Sequence, residues 1–338
     1  MTKKGFLITC LLTILLFSGC KSTKTDQEPS QYDYRTGSQG LTLGFPENMP
    51  IEVFENDPDI KFLVEVKNKG AFPQTEEIDD FRAKLWLGGY DERILGIYPR
   101  LGSSMSQGVN LAGDELEGRS SYNRDGGRTM VEFSMEAREL PDGLPYYQPS
   151  IIAAVSYIYE TLANVMVCVD PEPRSSRVKE KVCNIGDYGV GSGGSGGKGG
   201  RPGAGTGSQG APIAVTRVEE DVTGNNILFN IYVQNMGTGS VILESDVDEN
   251  PLTGYDWRDL NMVQIGDIKL GNLRMTECRP SIGRDIQLID GKGIIFCRID
   301  KSAVGVEAYV TPLNIQLRYG YTESIKRSIK IYEVIPFR

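Results

Sequence analysis

The sequence predicts an all-β protein made of two antiparallel β-sandwiches in tandem, and three observations carry that expectation. Where hydrophobicity is patterned, its period is two. In "LNIQLRYGY", Leu313, Ile315, Leu317, Tyr319 and Tyr321 share one face, and Asn314, Gln316 and Arg318 the other, as in a strand with one buried side. Forty glycines and seventeen prolines in 338 residues suit short strands joined by turns rather than helices. Finally, the chain repeats itself.

The repeat is clearest between "IKFLVEVKNKG" and "ILFNIYVQNMG". An offset of 167 lays Ile60, Phe62, Val64, Val66, Asn68 and Gly70 over Ile227, Phe229, Ile231, Val233, Asn235 and Gly237. At 163, Val131 and Phe133 fall over Ile294 and Phe296, and at 162, Ile151, Val155, Tyr157 and Tyr159 fall over Leu313, Leu317, Tyr319 and Tyr321. The copies flank "GDYGVGSGGSGGKGGRPGAGTGSQGAP", residues 186–212, whose composition reads as a flexible linker. Its Lys198 is followed by glycine, which excludes a phosphate loop. The sandwiches are therefore expected at 45–185 and 213–338.

Element by element, further strands are expected at Ile51–Glu55, Phe81–Leu87, Ile94–Tyr98, Met262–Leu270 and Asp285–Leu288, with one short turn of helix at "TEEIDDF". "ESIKRSIKIYEV" reads as the return strand of a hairpin after Tyr321. The Asn-x-Gly endings suit turns that need positive φ.

The N-terminus has two lysines, an apolar run from Gly5 to Phe17, then Ser18-Gly19-Cys20. The run is short for a membrane span and has the plan of a secretory signal over residues 1–19. Small-Gly-Cys resembles the lipobox of prokaryotic lipoproteins, with Phe17 where leucine is usual. That resemblance implies cleavage before Cys20 and a lipid on its sulfur, anchoring the chain to the bilayer at the outer face of the cell membrane or envelope. Residues 20–44, polar and unpatterned, read as a disordered tether. Of six cysteines, Cys168, Cys183, Cys278 and Cys297 remain for disulfides. Three pairings exist; sequence proximity favours Cys168–Cys183 and Cys278–Cys297.

"PIEVFENDPDIKFLVEVKNKG" followed by "FRAKLWLGGYDERILG" resembles the opening strands of the immunoglobulin-like domains called CARDB, found in prokaryotic surface proteins, and "VTRVEEDVTGNNILFNIYVQNMGTGSV" is similar. The resemblance covers about a third of each domain. It implies immunoglobulin-like sandwiches serving recognition or spacing, and supplies no catalytic residues.

The chemistry-bearing patterns are sparse. There is no histidine, so no Ser-His triad and no imidazole metal ligand. Paired carboxylates at Asp79-Asp80 and Glu219-Glu220 suggest a glycosidase only if space brings a matching pair together. A net charge of −9 argues against nucleic acid as a partner. Asp246, Asp248 and Asn250 have the alternate spacing that begins calcium loops, but Pro251 and Trp257 stand where an EF-hand needs glycine and glutamate. Calcium would need a loop site using Asp256 or Asp259. Ile152, Ala154, Ser156 and Ile158 make the outward face of one strand apolar where the other repeat has Asn, Gln and Arg. Ile152, Ala154 and Ile158 are thus a candidate partner-binding strip, unless the 101–127 insertion covers them. The expectation is a non-catalytic, lipid-anchored envelope protein that binds a surface protein, mediates adhesion or serves as a subunit of a surface assembly. The alternatives are a glycan- or calcium-dependent recognition module and, behind it, an envelope hydrolase.

Overall fold

The computed structural model describes residues 33–58, 60–99, 107–175, 181–186, 188 and 208–334. Cys20, the signal at 1–19, most of the tether and linker residues 189–207 lie outside them. The first repeat contains β1 (Leu41–Gly44), β2 (Glu52–Phe54), β3 (Ile60–Asn68), β4 (Ala83–Gly88), β5 (Leu95–Pro99), β6 (Val109–Asn110), β7 (Arg128–Ala137), β8 (Tyr146–Tyr147) and β9 (Ser150–Val169). The second contains β10 (Ile213–Val222), β11 (Asn226–Asn235), β12 (Ser240–Ile242), β13 (Met262–Leu270), β14 (Leu273–Arg274), β15 (Glu277–Arg279), β16 (Asp285–Gln287), β17 (Lys292–Asp300), β18 (Tyr309–Ser328) and β19 (Lys330–Tyr332). "TEEIDD" is a 3-10 turn.

Each repeat has its own four-stranded outer sheet, ordered β1-β3-β7-β5 in the first and β10-β11-β17-β15 in the second. The inner sheet is shared. It runs β14-β13-β18-β9-β4-β6, with β12 on β18 and β16 on β13. The junction is the antiparallel pairing of β9 with β18 over all twenty residues of each, from Tyr309 opposite Val169 to Ser328 opposite Ser150. Tyr34–Arg338 is accordingly one compact unit with one continuous apolar core. The all-β expectation holds, but in place of two separate sandwiches the described residues form two outer sheets on a single fused inner sheet.

The fusion has an internal two-fold relation. Ile158 pairs with Gly320, its own counterpart at the offset of 162. Around that pair stand Tyr157, Tyr159, Tyr319 and Tyr321, each at most 1% exposed, with neighbouring ring centroids 5.6–6.4 Å apart. Edge-to-face and tilted pairs of this kind exceed plain burial by about 0.5–1.5 kcal/mol. Tyr159 and Tyr321 reach the Asn-x-Gly turns of their own repeats. Tyr159 Oη lies 3.3 Å from Asn68 Oδ1 and Tyr321 Oη 3.1 Å from Asn235 Oδ1. The same Asn oxygens accept from the N–H of Gly70 and Gly237. Both outer sheets therefore pack on one face of the inner sheet.

This geometry corrects the reading of Asn-x-Gly. Neither Asn68, Gly70, Asn235 nor Gly237 has positive φ. Glycine is required because a tyrosine hydroxyl sits where its Cβ would be: an added Cβ at Gly70 or at Gly237 would overlap Tyr159 Oη or Tyr321 Oη.

Four other expectations change. No hairpin follows Tyr321; β18 continues to Ser328 because β9 offers it a partner at every residue, and cross-strand pairing outweighs a local turn signal. Leu41–Gly44 is not tether but strand β1, paired with β3. At the linker's end, Gln209, Gly210, Ala211 and Pro212 are buried, with the Gln209 amide clipped to both N–H and C=O of Val215 at 2.9 Å. And the offset of 163 is wrong by one. Phe62 pairs with Phe133 and Phe229 with Cys297, so Phe133 corresponds to Cys297. An odd slip in a period-two pattern turns every side chain over, and Phe296 is 53% exposed.

Candidate binding surface

The anticipated partner strip is not open. Ala154 and Ile158 are buried and Ile152 is half-buried, because residues 242–260 of the second repeat cross the two-fold and lie over them. Ile158 packs with Ile242, Val247, Tyr255 and Leu260, Ser156 Oγ meets Tyr255 Oη at 2.9 Å, and a Cβ on Gly88 would approach Leu252 to 2.8 Å. The same segment explains the asymmetry between repeats. A side chain at Gly320 would meet Leu243 O at 2.6 Å and Ile242 at 2.7 Å, so only one repeat's strip can be covered. The 101–127 insertion contributes at its near end, where Gly108 lies against the buried Trp86.

The acidic residues of this covering segment are tied to the protein. Asp248 is held by Arg82 Nη1 at 2.9 Å and Lys84 Nζ at 2.8 Å, and Lys84 first, then Arg82, draws its carboxyl below the usual range. Glu244 takes a two-point contact from Arg318 at 2.8 and 3.0 Å. Asp246 accepts from Ser245, Asn250 caps Leu252 N–H, and Asp256 accepts from Arg258 N–H. Among the described residues, no three of the His, Cys, Asp and Glu side chains converge as a metal site, and Asp246, Asp248, Asn250 and Asp256 are engaged as above. Cys168–Cys183 and Cys278–Cys297 are both disulfides. Such bonds persist in oxidising compartments, compatible with an extracellular location.

Of the carboxylate pairs, Glu219 and Glu220 sit on opposite faces of β10. Glu219 accepts from Tyr232 Oη and Arg217 on the outside, while Glu220 points inward beside Asp170 and Tyr309. Glu220 Oε1 is buried without a hydrogen-bond partner. Burial, opposed by a backbone N–H bond from Asp170 and reinforced by the Asp170 charge, pushes its pKa from 4.5 to about 8. An unfolded chain ionises this group near 4.5 whereas the folded one keeps its proton to about 8, so its contribution is full below 4.5 and lost as pH rises through that window. Glu220→Gln is expected to flatten the pH dependence of stability between these values and to raise stability at pH 8, measured by urea unfolding. Parallel pH curves for the two proteins would refute this. A concavity at the edge of the inner sheet, lined by Arg35, Phe72, Gln74, Glu77, Glu160 and Gln209, encloses about 10 Å³, room for one water.

The most exposed aromatic grouping lies on a fourth sheet, β2-β19-β8, where β19 pairs in parallel with β2 and antiparallel with β8. Alternation fixes its two faces. Val53 and Ile331 point into the core, and Tyr147 Oη accepts from Asp91 N–H at 2.8 Å. On the outward face, Phe54, Tyr332 and Tyr146 are direct cross-strand neighbours in one row. Their centroids are 6.1 and 6.5 Å apart, and Phe54 and Tyr146 are 58% and 45% exposed. Lys330 Nζ stands 4.2 Å from the Tyr146 ring centre and 4.5 Å from that of Tyr332. Tyr332 Oη donates to Glu52 Oε1 at 3.2 Å. The result is a row of ring faces edged by one cation and one anion. Aromatic faces of this kind take apolar side chains, cations or the C–H faces of sugars. The sequence did not reveal the row, since Phe54, Tyr146 and Tyr332 lie far apart in the chain; the sole local signal is Lys330 and Tyr332 alternating with the core residue Ile331.

No helix among the described residues is long and apolar enough to cross a membrane. No family model matches the chain, and no curated protein does. A solved structure titled BspA_C_mut aligns over 87% of this chain and 99% of its own at 8% identity, with a TM-score of 0.15, too low to support any structural argument.

Proposed function

We propose that this chain is a non-catalytic envelope protein, held to the outer face of the membrane by a lipid on Cys20, that binds a surface protein through the row Phe54–Tyr332–Tyr146. On this reading its halves are immunoglobulin-like units of the CARDB kind, fused through β9 and β18. The observation that carries it is the solvent-facing row itself: buried aromatics supply most binding energy at protein interfaces, and folding leaves these rings outside. In-cell cross-linking of the native protein should capture the same few envelope proteins repeatedly. Phe54→Ser with Tyr146→Ser should weaken that capture by about 2 kcal/mol or more, about 30-fold in Kd, while the protein stays folded with its melting temperature lowered by only a few degrees, the loss of two ring pairs with Tyr332. Undiminished capture by the double variant would sink this reading.

Glycan recognition is the second reading, favoured by one feature: Lys330 and Glu52 flank the rings with a donor and an acceptor suited to hydroxyl groups. Quenching of tyrosine fluorescence by isolated envelope polysaccharide, lost in the double variant, would favour it over a protein partner.

A further inference from the structure

The two repeats act as controls for one another on their outer sheets. On the first, Lys61 and Glu132 form an ion pair at 3.2 Å across β3 and β7. By strand pairing their counterparts on the second are Leu228 and Phe296. Met130 is matched by Ile294, and Glu65 by Tyr232. The fold thus accepts charge at these positions, and the second repeat instead exposes Phe296 to 53% and Ile294 to 37%. Cys278 and Cys297, directly opposite each other on the inward side, brace the β15–β17 edge beneath.

Charge on this face is ordered along the strands. Two pairs are internal, Arg217 with Glu219 at 3.0 Å and Arg298 with Glu277. Lys292 and Arg217 lie toward one end, beside Gln234 and Tyr232; Asp300 and Asp221 lie toward the other, beside Asn226 and Leu228. Phe296 is midway, opposite Asn230 and Arg279. A two-fold axis running across the strands between two such faces reverses this order. It sets Lys292 against the second copy's Asp300, Arg217, beyond its internal pair with Glu219, against its Asp221, Tyr232 against its Leu228, and Phe296 against Phe296; on the axis itself Arg279 faces Arg279 and Glu219 faces Glu219, like-charge contacts that weaken the pair.

We infer that the outer face of β10-β11-β17-β15 is an isologous docking surface for a second copy of this chain. Strand spacings make the face of β10, β11 and β17 about 27 by 14 Å, with the three-residue β15 adding about 10 by 5 Å. Each copy therefore contributes roughly 450 Å² and the pair about 900 Å², in the range of weak, transient interfaces. The dimer is consequently weak and forms as concentration rises.

Sedimentation velocity on the full-length chain across the micromolar range tests this. The expected result is a concentration-dependent rise to the dimer. Phe296→Glu, the residue type the first repeat already carries, should weaken it at least tenfold at an unchanged melting temperature. Arg217→Glu and Asp221→Arg should each weaken association alone, and an equal mixture of the two should restore it, because each variant then meets its complement. A monomer at every concentration, association that survives Phe296→Glu, or no restoration on mixing would overturn the proposal.

Discussion

Replacing Gly70 by alanine is expected to cost about 3 kcal/mol or more, lowering Tm by roughly 5 °C or more in a protein of this size. The new Cβ would overlap the Tyr159 hydroxyl and lie 2.5 Å from Gly210 O and 2.6 Å from Gln39 O. Two of those three obstacles are backbone that holds the first repeat together: Gly210 O also accepts from Ala71 N–H, and Gly210 N–H donates to Gly37 O. Removing the hydroxyl in Tyr159→Phe should therefore rescue little. At the related site the obstacles differ. A Cβ on Gly237 would meet the Tyr321 hydroxyl and, at 2.8 Å, the ring carbon of Pro212. Tyr321→Phe should relieve most of the strain of Gly237→Ala, even though it leaves Gly239 N–H without its 2.9 Å acceptor. Double-mutant cycles by urea unfolding would show favourable coupling of about 1 kcal/mol or more at 237/321 and much less at 70/159. Equal coupling at both sites would mean that the hydroxyl, not the backbone, sets the limit at Gly70.

The same two glycines show how far the sequence could be read. Asn-x-Gly was conspicuous, and its duplication marked the repeat. Its cause was not visible, since Tyr159 and Tyr321 stand about ninety residues away and the demand on glycine is steric rather than torsional. Strands with one buried face were legible because a period of two is local. Met262–Leu270 has the expected bounds, and both disulfides follow sequence proximity. What failed were judgements that depend on a distant neighbour. The apparent break after Tyr321 vanishes because β9 pairs with residues 322–328. The offset of 163 lays Phe296 under Phe133 through a slip of one, which only the pairing of β11 with β17 corrects. The apolar strip at Ile152, Ala154 and Ile158 reads from the sequence as a partner site or as a face under the 101–127 insertion; the structure covers it instead with residues 242–260, within which the candidate calcium ligands lie. The aromatic row on β2, β19 and β8 could not be anticipated, as it exists only once three distant segments meet.

Separating the halves should have the largest effect of all. Tandem domains on a flexible linker would melt independently, and each would fold alone. Here the β9–β18 seam pairs all twenty residues of each strand and sets Tyr157 against Tyr321 and Tyr159 against Tyr319, contacts that neither half can make alone. A seam of that length is a large fraction of the stability of a typical protein. Neither disulfide crosses the seam, so the halves cohere without a covalent tie other than the chain between them. Cleavage within 189–207 should leave a nicked protein that still elutes as one species and melts in one calorimetric transition. Expressed alone, residues 208–338 should not give a folded monomer, and adding the first half should recover a one-to-one complex. Two independent transitions, or a monomeric folded half, would show that the fused sheet contributes little. The isolated half has one further expected behaviour. Its β18 would be a twenty-residue edge with open hydrogen bonds, a template for pairing. Because the native seam already relates β9 and β18 by a two-fold axis, the partner it would find most readily is β18 of a second copy.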